Sequence, residues 1–299
     1  MRLIYKEIKM KMYSKIVMAL IFLIGLGFSS CKNDKVKTQD SIALSTFNKI
    51  LNKGQIDVGY INYPPGFIVD PNTNEYSGIF KEVLAEIAKR NNLKLNFKEP
   101  VTWATMIQDV NLGKVDMLSS PVWATKARKE VVDFTNPVYF SPIGVFVRAN
   151  DDRFANNYSK LNDPKIKIAA VQGEVNNEIG KTDFPLAQLD PFTDDIAVSQ
   201  LFLEIKSGRK DVTFAEPMFA HDYIKKNPNT IKNIALTNPI RNYPNSFLVK
   251  KGESDLKEFL NSEIKKLAND GTIDQILEKY APFKGAVISI TDSLAIAKF

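Results

Sequence analysis

The sequence predicts an α/β fold made of two lobes, each a largely parallel sheet with helices on its faces. Short β-rich runs alternate with segments of helical periodicity, and such alternation calls for crossover helices packed on parallel strands. The alternation occurs twice, and a weak repeat marks corresponding points: Gly113-Lys114-Val115-Asp116-Met117-Leu118-Ser119 matches Gly208-Arg209-Lys210-Asp211-Val212-Thr213-Phe214. A 299-residue chain with 44% hydrophobic residues is also long enough to bury two cores of ordinary size.

The first element is a leader. Arg2, Lys6, Lys9, Lys11 and Lys15 form a basic segment, and Ile16 to Phe28 form an apolar run of 13 residues. That run is shorter than the roughly 20 residues a membrane span needs, and it precedes small residues as a secretory signal does. Phe28-Ser29-Ser30-Cys31 resembles the lipobox of bacterial lipoproteins, which makes Cys31 the expected site of acylation, a palmitate-type anchor. The alternative is an unmodified signal peptide with a free thiol. Cys31 is the one cysteine of the chain, so no intramolecular disulfide can form.

Without residues 1–30 the chain keeps 35 basic and 33 acidic residues, so its formal charge falls from +6 to +2. The basic residues that remain are scattered among acidic ones, which argues against a nucleic-acid partner. Lys32 to Ser45 is polar and weakly patterned, as a tether would be.

Beyond the tether, Ile56 to Tyr60 reads as a strand, followed by the loop Asn62-Tyr63-Pro64-Pro65-Gly66-Phe67. A helix is expected from about Gly78 to Asn91, with Ile79, Phe80, Val83, Leu84, Ile87 and Ala88 on one stripe. Leu93 to Phe97 alternates as a strand, Thr102 is placed to cap a helix reaching Leu112, and Val115 to Ser119 is a short strand. The second set opens with Ile166 to Val171 and the turn Gln172-Gly173-Glu174. The helix Asp194 to Lys206, the strand Asp211 to Ala215 and a helix begun by Pro217 follow. Strands at Ile231 to Leu236 and Ser246 to Lys250 precede a helix from Ser254 to Asn269, which stops at Gly271. The tail after Tyr280 has no assigned place.

Several of these segments together resemble the family 3 extracellular solute-binding proteins, which serve ABC importers of polar amino acids and related solutes. The marks are the Pro64-Pro65 loop, Ser77-Gly78-Ile79-Phe80, Gly113 to Asp116, and Thr125 with Arg128. They continue with Val132-Asp133-Phe134-Thr135-Asn136-Pro137-Val138-Tyr139, Val171-Gln172-Gly173, and Asp270 to Ile276. The resemblance spans roughly Gln55 to Tyr280. It implies two Rossmann-like lobes of the type II periplasmic binding protein kind, joined by a two-segment hinge near Tyr139 to Pro142 and Arg241 to Pro244. On that basis residues 46–141 and 243–299 form the first lobe and tail, 142–242 form the second, 1–30 the leader and 31–45 the tether.

The resemblance also implies a site. Arg128 matches the arginine that grips a ligand carboxylate, a task suited to a planar guanidinium that donates two parallel bonds. The alternative is that Arg128 belongs with Lys126 and Lys129 on a solvated helix turn. Glu216 falls where an aspartate usually holds the ligand's amino group, although an acidic residue before Pro217 also suits a helix N-terminus. Trp103 matches an aromatic that sandwiches the ligand, and Tyr63 and Phe67 lie in the first cleft loop, where rings serve equally as walls or as core. Ser119 and Ser120 stand at a strand end facing the cleft, and Gln172 and Gly173 at a turn whose N–H groups can face an anion.

Two departures bear on the ligand. Trp123 replaces a small hydroxyl residue that contacts the ligand carboxylate, and Pro121 replaces a common glycine and has no N–H to donate. The expected ligand is therefore a small polar solute that need not be an α-amino acid.

Two other readings compete with that of a receptor. His221 is the single histidine, which leaves no histidine pair for a metal and no nucleophilic triad, so no catalytic residue, metal or cofactor is expected. Dehydratases resembling cyclohexadienyl dehydratase share this fold, but Phe219 stands where their acid glutamate is expected. A sensing or adhesion module is the third reading. The favoured expectation is a lipid-anchored, extracytoplasmic receptor in the periplasm or at the cell surface. Its partners are a small solute, an ABC permease and, through acylated Cys31, the bilayer. No heptad pattern appears, so a monomer is the default.

Overall fold

The computed structural model describes residues 45–292 except Glu99, Asn156, Asp194 and Asp195. The leader, Cys31 and nearly all of the expected tether lie outside the described residues. Among the described residues no helix is long and apolar enough to cross a membrane.

The chain opens with α1 (Thr46–Lys53), closed by Gly54 in the left-handed conformation, and enters β1 (Gln55–Gly59). After the short hairpin β2 (Ile68–Val69) and β3 (Tyr76–Ser77), α2 runs from Ile79 to Arg90. It buries Ile79, Phe80, Val83, Leu84, Ile87 and Ala88, the whole stripe expected from helical spacing. Next come β4 (Lys94–Phe97), α3 (Met106–Asn111), β5 (Met117–Trp123) and α4 (Lys126–Val131). Regular α3 geometry starts at Met106, and the Thr102 hydroxyl caps the turn that leads into it, accepting from Thr105 N at 3.1 Å while Thr102 O accepts from Met106 N at 2.9 Å.

β6 (Val132–Arg148) is a 17-residue strand, and β7 (Lys167–Ile168), α5 (Val175–Asp183) and β8 (Gln188–Leu189) follow it. Then come α6 (Val198–Lys206), β9 (Val212–Ala215), α7 (Pro217–Lys226) and β10 (Ile231–Asn233). β11 (Arg241–Lys250), α8 (Ser254–Asn269), α9 (Thr272–Tyr280) and β12 (Ile288–Ser289) complete the order.

The strands run β4-β1-β5-β11-β6-β9-β7-β8, with β10 and β12 also paired to β6. β1 is parallel to β4 and β5, and β7 is parallel to β8 and β9, so each half keeps the parallel core that alternation demands. β6 and β11 run antiparallel to each other and connect the halves, Asn245 opposite Tyr139, Tyr243 opposite Ser141 and Arg241 opposite Ile143.

Separate cores flank this ribbon. One gathers the α2 stripe with Ile56, Val58, Phe247 and Leu256, Leu260, Ile264 and Leu267 of α8. On the other side Ile143, Val145, Val147, Ile168, Val212 and Phe214 pack together. Gly271, at φ +79°, gives the left-handed turn between α8 and α9. The tail has a place after all: Phe283 stacks on His221 of α7, and β12 pairs Ile288 with Phe140 and Ser289 with Tyr139.

Candidate functional site

The carboxyl ends of β1, β5 and β9 and the turn before α5 converge, as expected where ligands meet open α/β sheets. The loop after β1 is held firmly. Tyr63 and Phe67 exchange backbone hydrogen bonds (2.8 and 3.1 Å), and Ser120 Oγ accepts from Ile61 N at 2.7 Å while donating to Ile61 O at 3.0 Å. Gly66 passes so close to Pro121 that a Cβ there would lie 2.4 Å from the proline ring. Pro121 is thus a packing surface for the loop.

Glu216 ends β9 and precedes α7, whose first residue is Pro217. Its side chain is buried. Tyr63 Oη donates to Glu216 Oε1 at 3.2 Å, and Ser141 of β6 hydrogen-bonds the same carboxylate. Ser141 Oγ in turn accepts from Asn245 Nδ2 at 2.9 Å, so the network reaches both strands of the connecting ribbon. Burial pushes the Glu216 carboxyl above its ordinary value, and the bonds from Ser141 and Tyr63 only partly oppose this. Burial and then the Glu216 charge raise the Tyr63 phenol, so Tyr63 is a fixed donor at any physiological pH.

Two cavities adjoin this pair and share Tyr63, Val198, Glu216 and Phe219. The smaller, about 260 Å³, is walled by Trp123, Glu174 and Val171 among others. The larger, about 580 Å³, reaches Tyr139, Asp222, Lys226 and the tail residues Ala286 and Val287.

Among the expected site residues, Tyr63 and Glu216 are in direct contact. Trp103 meets Tyr63 edge to face at 5.7 Å, and Phe219 meets it in a second T-shaped contact at 6.2 Å. Trp123 lines the smaller cavity and stacks on Tyr243 of β11 at 4.5 Å and 16°. Arg128 is half-buried and lines neither cavity. Its Nη1 donates to Trp123 O at 3.1 Å, and burial holds its guanidinium below the ordinary value, opposed by the charge of Glu174. Gln172 and Gly173 are exposed at the turn, where Gln172 N donates to Phe192 O and Gly173 takes φ +84°.

Ser119 and Ser120 are fully buried, and their hydroxyls serve backbone carbonyls of Phe80, Ile61 and Ser119 itself. Phe67 is core, stacked on Tyr60 at 4.9 Å. Sequence reasoning did not find Tyr139, Ser141 and Asn245 as parts of the site. Their signal was present as polar residues in otherwise apolar strands, and a buried polar group needs a partner.

Residues 36–283 match the bacterial extracellular solute-binding proteins, family 3. The L-cystine-binding protein TcyA of Bacillus subtilis (strain 168) is 26% identical over 278 residues, covering 92% of this chain and 97% of that protein. The ABC transporter glutamine-binding protein GlnH of the same organism is 25% identical over 276 residues, covering 90% and 97%. The crystal structure of the ancestral amino acid-binding protein AncCDT-1, a precursor of cyclohexadienyl dehydratase, aligns with a TM-score of 0.59 at 27% identity. That match covers 79% of this chain and 99% of the other. The fold is that of the type II periplasmic binding proteins. The chain belongs to the bacterial extracellular solute-binding proteins of family 3.

Proposed function

We propose that this protein is an extracytoplasmic receptor that captures a small polar solute, an amino acid or a related compound, between two lobes and delivers it to an ABC importer. The observation that carries this reading is the buried Glu216 carboxylate, bonded to Tyr63 from the opposite side of the cleft and bordering both cavities. A buried carboxylate is costly without a counter-charge, and a cationic group on a solute supplies one. Tyr63, Trp103, Trp123 and Glu174 complete the site, with Gln172 and Gly173 at its rim. The lobes are 46–141 with 243–299, and 142–242, and the two-segment hinge is the ribbon in which Tyr139 to Pro142 pairs with the Arg241 to Pro244 strand, where Ser141 bonds Glu216. Closure is then driven by a solute that touches both lobes, since a ligand shifts an equilibrium only by its differential affinity.

The anchor belongs to the same reading: Cys31, after a basic and apolar leader, is the acylated residue, and the protein works as a monomer on a membrane surface. Cys31→Ser is expected to release the protein from the membrane fraction of labelled cells; unchanged association would contradict the anchor. The reading makes the protein a carrier and not a catalyst. Phe219, against Tyr63, occupies the position where a dehydratase-like acid glutamate is expected. Incubation with prephenate or arogenate is expected to leave both intact.

The direct test is a thermal-shift screen of amino acids, small peptides, carboxylates and polyamines on residues 32–299, stripped of bound solute. A ligand at about 100 times its dissociation constant adds roughly 2.7 kcal/mol. A shift lost in Glu216→Ala supports the reading, and silence across every class contradicts it.

A further inference from the structure

The cleft offers carboxylates and aromatic faces where an α-amino acid needs a cation. The charged residues that wall the smaller cavity are Glu174 and Glu216. In the adjoining cavity they are Glu216, Asp222 and Lys226. Across both, three carboxylates face one amine.

Arg128 does not redress this balance. Its Nη1 is committed to the Trp123 carbonyl, the carboxylate whose charge reaches it is Glu174, and it borders neither cavity. The side chain presented at that corner is the Trp123 indole, fixed in place by its stack on Tyr243. A ligand carboxylate placed there would meet an aromatic wall, the Glu216 carboxyl and a Glu174 charge that Arg128 offsets only in part, an arrangement that disfavours anions. An ammonium or guanidinium meets the opposite: charge-assisted hydrogen bonds to Glu216, and the rings of Tyr63, Trp123 and Phe219 for its carbon chain and cation–π contact.

Resting on the receptor reading above, we infer that the solute is an aliphatic amine or guanidine cation without an α-carboxylate. The site selects against the carboxylate of the corresponding amino acid. Glu216 is the primary anchor, and Glu174, the other carboxylate lining the smaller cavity, takes a second positive group where the ligand has one. Trp123 is the specificity-determining residue, because its ring stands where a carboxylate contact would otherwise be made.

The test uses matched pairs that differ only by the carboxylate: lysine and cadaverine, ornithine and putrescine, arginine and agmatine. Affinities are measured by titration calorimetry on the full folded receptor, with glutamate as the anionic control. At least one amine is expected to bind ten-fold or more tightly than its parent amino acid, and glutamate is expected not to bind. Glu216→Gln, which keeps the shape of the side chain, is expected to weaken the amine by at least ten-fold with the circular dichroism spectrum unchanged. Trp123→Ser is expected to narrow the gap within each pair by strengthening the amino acid. Amino acids that bind more tightly than their amines, with the advantage erased in Arg128→Ala, would overturn this inference and leave the receptor standing. Silence from every member, together with silence in the wider screen, would overturn both.

Discussion

Tyr63 and Glu216 join the two sides of the cleft through one hydrogen bond, Oη to Oε1 at 3.2 Å. Tyr63 belongs to the loop pinned by Ser120 and Pro121, and Glu216 to the strand end tied through Ser141 and Asn245 to the connecting ribbon. The bond therefore couples the position of the first cleft loop to the connecting ribbon, and it leaves the carboxylate bordering both cavities.

Tyr63→Phe isolates that coupling. The ring still packs against Trp103 and Phe219, but Glu216 loses one of its donors. Hydrogen bonds to charged groups are worth about 1.5–3 kcal/mol. Affinity for a cationic solute is expected to fall by about ten-fold or more, read by calorimetry, and X-ray scattering of the unliganded protein is expected to show a larger radius of gyration. An unchanged affinity would remove Tyr63 from the site.

Glu216 gives the stability a reversed pH dependence. Its folded-state value lies above the ordinary 4.5, so the folded protein holds this proton more tightly than the unfolded chain does. The contribution is most favourable below pH 4.5 and is lost as pH rises through the window between 4.5 and the raised value. Above that window the buried carboxyl no longer adds this stability, and its burial in the unliganded protein is a net cost. Glu216→Gln is expected to raise stability there by about 1 kcal/mol, the scale of a relieved buried polar group, while weakening solute binding. Denaturant midpoints at pH 4 and pH 7.5 check this, and a variant less stable at both values would contradict it.

Ser120→Ala removes a hydroxyl that accepts from Ile61 N and whose one proton is shared between Ile61 O and Ser119 O inside the core. The orphaned Ile61 N–H predicts a loss of about 1–3 kcal/mol, read as a lower urea midpoint with an unchanged slope. A neutral variant would show that the loop does not depend on this clasp.

The tail is expected to brace the hinge. Phe283 lies 4.7 Å from His221, β12 extends the sheet at Tyr139 and Phe140, and the Ser289 and Thr291 hydroxyls return to Asp274. A chain ending at Tyr280 loses all three contacts. It is expected to melt several degrees lower, at roughly 2–4 °C per kcal/mol, with faster amide exchange in the segment around Phe140. Equal melting temperatures would contradict a structural role for the tail.

The helical stripes were the most legible part of the sequence. The apolar spacing of α2 gave its buried face residue by residue, and α8 ran from Ser254 to Asn269 as expected. β6 was harder, because Pro137 and Pro142 interrupt it and polar Thr135, Asn136 and Ser141 break its apolar pattern. Those residues serve tertiary bonds: Thr135 Oγ1 accepts from Phe247 N, and Ser141 serves Glu216 and Asn245. In the site, residue types pointed to Glu216 and Tyr63, whereas Ser119 and Ser120 carried the same hydroxyls into the core. The strand runs on past them to Trp123, so both serines sit inside β5 and not at its end, and the sequence pattern stops the strand too early. Arg128 shows another limit, since its partner is a backbone carbonyl that no pattern of side chains announces.

The central claim is that a solute is held in this cleft by Glu216. Titration calorimetry of residues 32–299, freed of bound solute by reversible unfolding, tests it most directly when run in parallel on Glu216→Gln. The account predicts one-to-one binding of a cationic solute to the native protein and a loss of ten-fold or more in the variant. Equal binding by the two proteins, or no binding by either across the whole panel, would contradict it.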